Sequence, residues 1–325
     1  MKRLHRPPLL LALVFLMVLV GCSQPVGPST EGPGPLSQEE TPSSGKLAAD
    51  KSFIEYANLT QVEASYLKQL TRGNGLTVAI RELDYVYMPT DDGSINGFNY
   101  RLLWAFSQET GVNLELKFID SFSQYFETNG TVPEHVQTDA TIIYIPDLLQ
   151  EVDLYCDVLT VVPWREKLFR FVKTVPVREM LVVREGEELT SLHQLDGKIV
   201  TNIKDTSYEA TLRGLQRDLN IDFDYVYVEA DFMQQEKLLN GEVDVVIQDS
   251  LVALNEIKKH EGLSMTIPAS PLQHLGWGVK HDDVILGDIL DKFIIYAQDS
   301  GLLEEIWQDE YGITMFEYLQ LMSGE

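Results

Sequence analysis

Arg165, Thr160, Asp249 and the Thr206–Ser207 pair are the residues whose types and places in this chain could hold a ligand. Arg165 follows a short apolar run, Val152–Val158, which Leu159 and Thr160 close and Pro163 ends. Proline cannot donate to a sheet ladder, so pairing stops there. A residue just past a strand's C-terminal end lies where open α/β sheets place their ligands. A guanidinium there offers a planar fork of donors that matches a carboxylate; a surface Arg capping a loop has the same spacing. Asp249 follows the apolar run Val245–Ile247, and beside Ser250 it could cap a helix starting near Leu251. Thr206 and Ser207 precede a helical pattern, and free backbone N–H groups at such a start favour an anion.

The elements that would position these residues alternate. Strands are expected at Leu76–Ile80, Val112–Phe118, Lys198–Asn202, Asp224–Val228 and Val243–Ile247. Helices are expected from Tyr100 to Thr110, Tyr208 to Asp218, Phe232 to Asn240, Leu251 to His260, Asp288 to Ala297 and Leu302 to Tyr311. Before them, Leu59, Val62, Leu67 and Leu70 recur near helical spacing with Thr60 placed to cap. Alternation of this kind predicts α/β layers with mostly parallel sheets. A body near 275 residues exceeds one usual core, so two lobes fit. The expected division is a lead helix over 50–75, lobe 1 over 76–176 plus 272–325, and lobe 2 over 177–271. The segment 121–143, with Asn129-Gly130 and Pro133, reads as a loop-rich insertion.

Met1–Cys22 reads as a targeting segment. Lys2, Arg3 and Arg6 precede an apolar run, Leu9–Val20, that is too short to span a bilayer. Leu19-Val20-Gly21-Cys22 resembles a bacterial lipobox, which implies lipidation at Cys22. Residues 23–49 follow as a tether rich in Pro, Gly and Ser, with too few apolar side chains to bury a core. Cys156 is then the one remaining cysteine, so no intramolecular disulfide or Cys metal cluster is expected. The net charge is −25, and −28 without Lys2, Arg3 and Arg6, which argues against nucleic acid as a partner. The six histidines are scattered, and neither a G-x-S-x-G nor a P-loop spacing appears.

Four segments in order resemble the amino-acid family of type II solute-binding proteins. They are Leu76–Ile80 with Gly97-Phe98-Asn99-Tyr100; Leu148–Asp153 with Leu159–Arg165 and Phe171; Leu195–Val200 with Asp205–Glu209; and Leu239–Asp249. The resemblance covers roughly residues 76–312. It implies a two-lobed periplasmic-binding-protein-like fold, each lobe a mostly parallel sheet flanked by helices, with a two-strand hinge that lets the cleft close. It implies that Arg165 holds a ligand α-carboxylate with the turn at Thr206 and Ser207, that Thr160 contacts the head group, and that Asp249 meets the ammonium. Tyr85 and Tyr87 fall where that family places an aromatic against the ligand side chain. Glu82 and Asp84 could reach a basic side chain, and Trp164 could wall the cleft or simply pack.

The chain departs from the family pattern at two places. Asp157-Val158 stands where a small pair is usual, and Asp205 stands where Gly is usual. Val158 would narrow the approach to the strand end, and Asp157 would add charge at the rim. The resemblance implies a monomer without cofactor that captures an amino acid or a related solute for an ABC permease, lipid-anchored outside the cytoplasm. Two further resemblances give rival expectations: a ligand-sensing lipoprotein acting on a membrane sensor, and the regulatory domain that precedes the catalytic domain of membrane-bound lytic transglycosylases. Because Glu325 comes soon after the closing helices, no enzyme activity is expected.

Overall fold

The computed structural model describes residues 51–323 except 92, 204–205 and 229–230, so Cys22, the tether and Asp205 lie outside the described residues. The chain begins with helices α1 (Phe53–Tyr56) and α2 (Gln61–Arg72), then strand β1 (Leu76–Ile80) and the short hairpin β2 (Met88–Pro89) and β3 (Ile95–Asn96). Next come α3 (Phe98–Thr110), β4 (Leu114–Phe118), α4 (Asp147–Glu151), β5 (Leu154–Thr160) and β6 (Arg170–Val177). Then follow β7 (Glu179–Arg184), β8 (Ile199–Ile203), α5 (Ser207–Leu219), β9 (Asp224–Val228), α6 (Asp231–Leu239) and β10 (Val245–Asp249). The chain closes with α7 (Ser250–Lys259), β11 (Leu263–Pro268), β12 (Gln273–Val279), α8 (Val284–Ser300), α9 (Leu302–Tyr311) and α10 (Met315–Ser323).

The first sheet has the order β4-β1-β5-β12-β6 and the second β11-β7-β10-β8-β9. In each, four strands run in one direction and one runs against them, β12 in the first sheet and β7 in the second. Strand β5 sits between β1 and β12, and all seven of its residues are buried. A strand covered on both faces reads as a continuous apolar run rather than an alternation, which is why its pattern stood out. Gly97 starts α3 at φ 110, with its Cα so close to Val86 that a Cβ would lie 2.4 Å from that carbonyl. No side chain fits there.

The chain leaves the first sheet through Arg178 alone, between β6 and β7, and returns between β11 and β12. These crossings are tied together. Ala269 N–H donates to the Glu179 carbonyl at 2.7 Å, and Ser250 N–H donates to the Arg178 carbonyl at 2.8 Å. Helix α10 straps them: the Tyr318 and Ser250 hydroxyls share a hydrogen bond of 2.7 Å, and Arg178 Nη1 donates to the Met322 carbonyl at 3.1 Å. Four strands, β6, β7, β11 and β12, lie outside the strands expected from the apolar pattern.

The lead segment docks on the first sheet's helices. Phe53 packs edge-on against Phe293 of α8 at 5.5 Å. Thr60 caps α2 as its position predicts, in a reciprocal box with Glu63. Lys292 Nζ of α8 then donates to Glu63 Oε2 at 2.7 Å. Among the described residues no helix is long and apolar enough to cross a membrane.

Candidate functional site

A cleft of about 520 Å³ lies between the two sheets. Arg81, Tyr85, Phe122, Val158, Thr160 and Arg165 line it from the first, and Thr206, Ser207, Tyr208 and Asp249 from the second. Strand ends supply Arg81 after β1, Thr160 on β5 and Asp249 on β10, while the start of α5 supplies Thr206 and Ser207. The ends of both sheets therefore face one space, as strand alternation between two lobes requires.

Arg165 opens the turn after β5 and is buried. Its Nη1 donates to the Thr160 carbonyl at 3.0 Å. Phe126, Trp164 and Phe122 surround the guanidinium, with ring centroids 4.8, 5.1 and 5.2 Å from Cζ. Aromatic faces stabilise a desolvated cation without using its N–H groups. Nε accordingly has no hydrogen-bond partner, and Arg165 makes no ion pair among the described residues. Burial lowers its pKa to about 10, opposed by the charge of Asp249 and, more weakly, of Glu179. It stays cationic at neutral pH and keeps donor capacity beside the cleft.

Thr160 Oγ1 donates to Asp249 Oδ2 at 3.2 Å, and Asp249 N–H donates to the Tyr208 hydroxyl at 3.0 Å. Asp249 precedes α7 but makes no side-chain cap bond, so the capping reading does not describe its side chain. Thr206 is the N-cap residue of α5 and also makes no cap bond; its hydroxyl donates back to the Ile203 carbonyl at 2.7 Å. The first-turn N–H groups of α5 thus receive no hydroxyl from their own cap.

Other expected site residues fall elsewhere. Asp157 is not on the rim: it is fully buried, and Arg81 grips it with two bonds of 2.7 and 2.9 Å while Tyr125 donates to it at 2.8 Å. An ionised carboxylate inside a sheet requires such pairing, and Arg81 on β1's end supplies it. Burial lowers the Arg81 pKa, and Asp157 more than reverses this. Tyr85 lines the cleft, but Tyr87 does not; it packs edge-on against Tyr100 at 4.8 Å. Trp164 packs against Phe126 at 4.9 Å and does not line the cleft. Glu82 and Asp84 line it, and Asp84 pairs with Lys259 of α7, a tie between the two sides.

Sequence reading missed three contributors. Arg81 stands directly after a strand, the same position that singled out Arg165. Phe122, Tyr125 and Phe126 come from the segment read as an insertion, and they build the ring cage and the Asp157 clamp. Glu179 breaks a period-two apolar face, Val175, Val177, Leu181 and Val183, all buried. A carboxylate in that series was the available signal.

This chain has the two-lobed fold of type II periplasmic binding proteins. It resembles an ancestral arginine-binding protein solved with arginine, at 20% identity and TM-score 0.57, over 73% of this chain and 98% of that one. It also resembles a putative ABC-transporter binding component from Wolinella succinogenes complexed with lysine, at 20% identity and TM-score 0.58, over 75% and 98%. Curated relatives carry the name membrane-bound lytic murein transglycosylase F. The one from Saccharophagus degradans is 24% identical over 66% of this chain and 40% of its own length. The one from Ectopseudomonas mendocina is 23% identical over 76% and 48%. The chain thus spans less than half the length of these relatives. No family model matches it. The expectation of no enzyme activity is corrected here, because the curated relatives are enzymes by name.

Proposed function

We propose that this chain captures a small solute with an amino-acid head group in the cleft between its lobes. In this reading Arg165 and the start of α5 at Thr206 and Ser207 take the carboxylate. Asp249 takes the ammonium with Thr160, and Tyr85 walls the side chain. The observation that carries the reading is Arg165: a buried guanidinium caged by rings, with an unpartnered Nε–H, beside a cleft that a carboxylate of the other lobe also lines. The moving bodies are lobe 1, residues 76–176 plus 272–325, and lobe 2, residues 177–271, hinged at the two crossings. The solved neighbours with arginine and lysine support an amino-acid ligand.

Lipidation at Cys22 and residues 23–49 as a tether would hold these lobes at the outer face of a membrane. A permease of an ABC importer or a membrane sensor would read the closed form. The lipobox-like run supports this placement, as do relatives described as membrane-bound. A second reading is favoured by those relatives' name: the captured head group belongs to a murein peptide, and the lobes serve cell-wall turnover.

The test is thermal melting of the full chain, stripped of carried ligand, against amino acids, polyamines and muropeptides, for wild type and Arg165→Ala. A ligand that binds only the folded state raises the melting point by mass action. A rise with one amino-acid class, lost in Arg165→Ala, is the expected result. A rise confined to muropeptides would select the second reading. No rise with any compound would overturn both.

A further inference from the structure

Glu179 opens β7 one residue after the chain leaves the first sheet. It is the register partner of Asp249 across the antiparallel pair of β10 and β7. Directly opposite residues point to the same sheet face with Cβ atoms about 4.5–5.5 Å apart. The two side chains therefore leave the same face of the sheet at the end that meets the cleft. Asp249 lines the cleft, and Glu179 is fully buried without lining it.

The Glu179 backbone is pinned to the return crossing: its N–H donates to Ser270 Oγ at 2.9 Å and its carbonyl accepts from Ala269 N–H. Its side chain is not satisfied. Neither Oε1 nor Oε2 has a hydrogen-bond partner, and neither does Ser207 Oγ or Arg165 Nε. The Ser207 and Thr211 hydroxyls favour the charged form of Glu179 without reaching hydrogen-bonding geometry, and Arg165 acts on it only through its field. Of the charged and titratable groups near it, Arg165 from the turn after β5 acts on it, Asp249 is its register partner on β10, and Tyr208 accepts from Asp249 N–H. Arg178, next in the chain, sends its guanidinium to the Met322 carbonyl instead.

A buried carboxylate without donors is among the costliest groups a fold can hold. A protonated carboxyl costs far less and gains a donor of its own. An anion on Arg165 would add a further negative charge beside Asp249 and Glu179, and carboxylates that share a site do not all ionise. We infer that Glu179 is the proton site of this cleft, taking a proton from solvent when an anionic head group sits on Arg165, so that anion capture and proton uptake are linked. The inference rests on the proposed role of Arg165 toward a carboxylate.

The test is a pH titration of the full chain labelled with ¹³C at glutamate side-chain carboxyls, alone, with sodium acetate as the minimal carboxylate probe, and with sodium chloride as control. Glu179→Gln identifies the resonance, and Glu179→Asp does so if that variant does not fold, since it also removes the labelled glutamate. The expected result is one glutamate titrating above the others, moved up by roughly one pH unit by acetate and not by chloride. In Arg165→Ala its midpoint should be higher from the start and indifferent to acetate. A Glu179 resonance that titrates with the surface glutamates, or one that acetate leaves in place or moves down, would overturn the inference. A Glu179 that responds to acetate in a chain that binds no amino acid or muropeptide would instead count against the proposed function.

Discussion

The Thr160 hydroxyl donates to Asp249 Oδ2 at 3.2 Å, joining the end of β5 in one sheet to the end of β10 in the other. Both residues are buried. If the lobes hinge as proposed, opening the cleft would break this contact. A hydrogen bond to a buried charged group contributes about 1.5–3 kcal/mol, and the length of this one puts it at the lower end. Thr160→Val keeps the strand-end shape and removes the donor. The expected outcome is a shift toward an open form, read as a larger inter-lobe distance by double electron–electron resonance, and a loss of ligand affinity of about tenfold.

The Arg81–Asp157–Tyr125 group is a buried charge pair with a hydroxyl, set behind the cleft. Breaking such a pair from one side leaves an uncompensated charge and costs about 3–5 kcal/mol. Asp157→Ala should lose about that much in urea unfolding, whereas Arg81→Met with Asp157→Leu should lose far less. Equal losses in the single and double variants would rule out the pair as the cause.

Much of this arrangement is legible in sequence, and the reasons differ by element. Strands buried on both faces, such as Leu154–Thr160 and Val245–Asp249, announce themselves as apolar runs with polar ends, so Thr160, Arg165 and Asp249 could be named in advance. The lead helix is legible because Thr60 stands as a cap residue at the start of a periodic apolar face. Strands β6, β7, β11 and β12 are not, because they pair only with chain distant in sequence. Asp157 was misplaced because sequence gives no sign that Arg81, 76 positions earlier, would pull it inward. The role of Phe122 and Phe126 is hidden for the same reason: the cage forms only where their segment meets Trp164 and Arg165.

Docking of the lead helix should be acid-labile. Burial raises the Glu63 pKa, but the bonds from Lys292 and Thr60 more than offset this and leave it lowered. A carboxylate depressed in the fold contributes stability that is present above its unfolded pKa and lost as pH falls through the folded one. Lys292→Met should cost about 1 kcal/mol at neutral pH, roughly 2–4 °C in melting temperature for a chain of this size. The difference from wild type should shrink below about pH 4. A difference independent of pH would point to lost packing instead.

Glu179 should act with the opposite sign. Burial raises its pKa, partly countered by the Ser207 and Thr211 hydroxyls and by Arg165. The native state then binds the proton more tightly than the unfolded chain, so stability falls as pH rises from the unfolded value, about 4.3, through the folded one. Glu179→Gln should be at least as stable as wild type above that window and should lose this part of the pH slope. Urea titrations across pH would show it, and a variant with an unchanged slope would exclude Glu179 as its source.

The central claim is that Arg165 holds the head group of a captured amino acid. Isothermal titration calorimetry of the full chain should be run with the amino acid that gives the largest melting shift, on wild type and Arg165→Lys. Lysine keeps the charge and loses the planar fork. If Arg165 pairs with the ligand carboxylate, affinity should fall about 10- to 100-fold, the loss of one charge-assisted hydrogen bond or more, measured below the melting temperature of the variant, which loses the ring stacking as well. An affinity unchanged in Arg165→Lys, with the protein folded, would contradict the account.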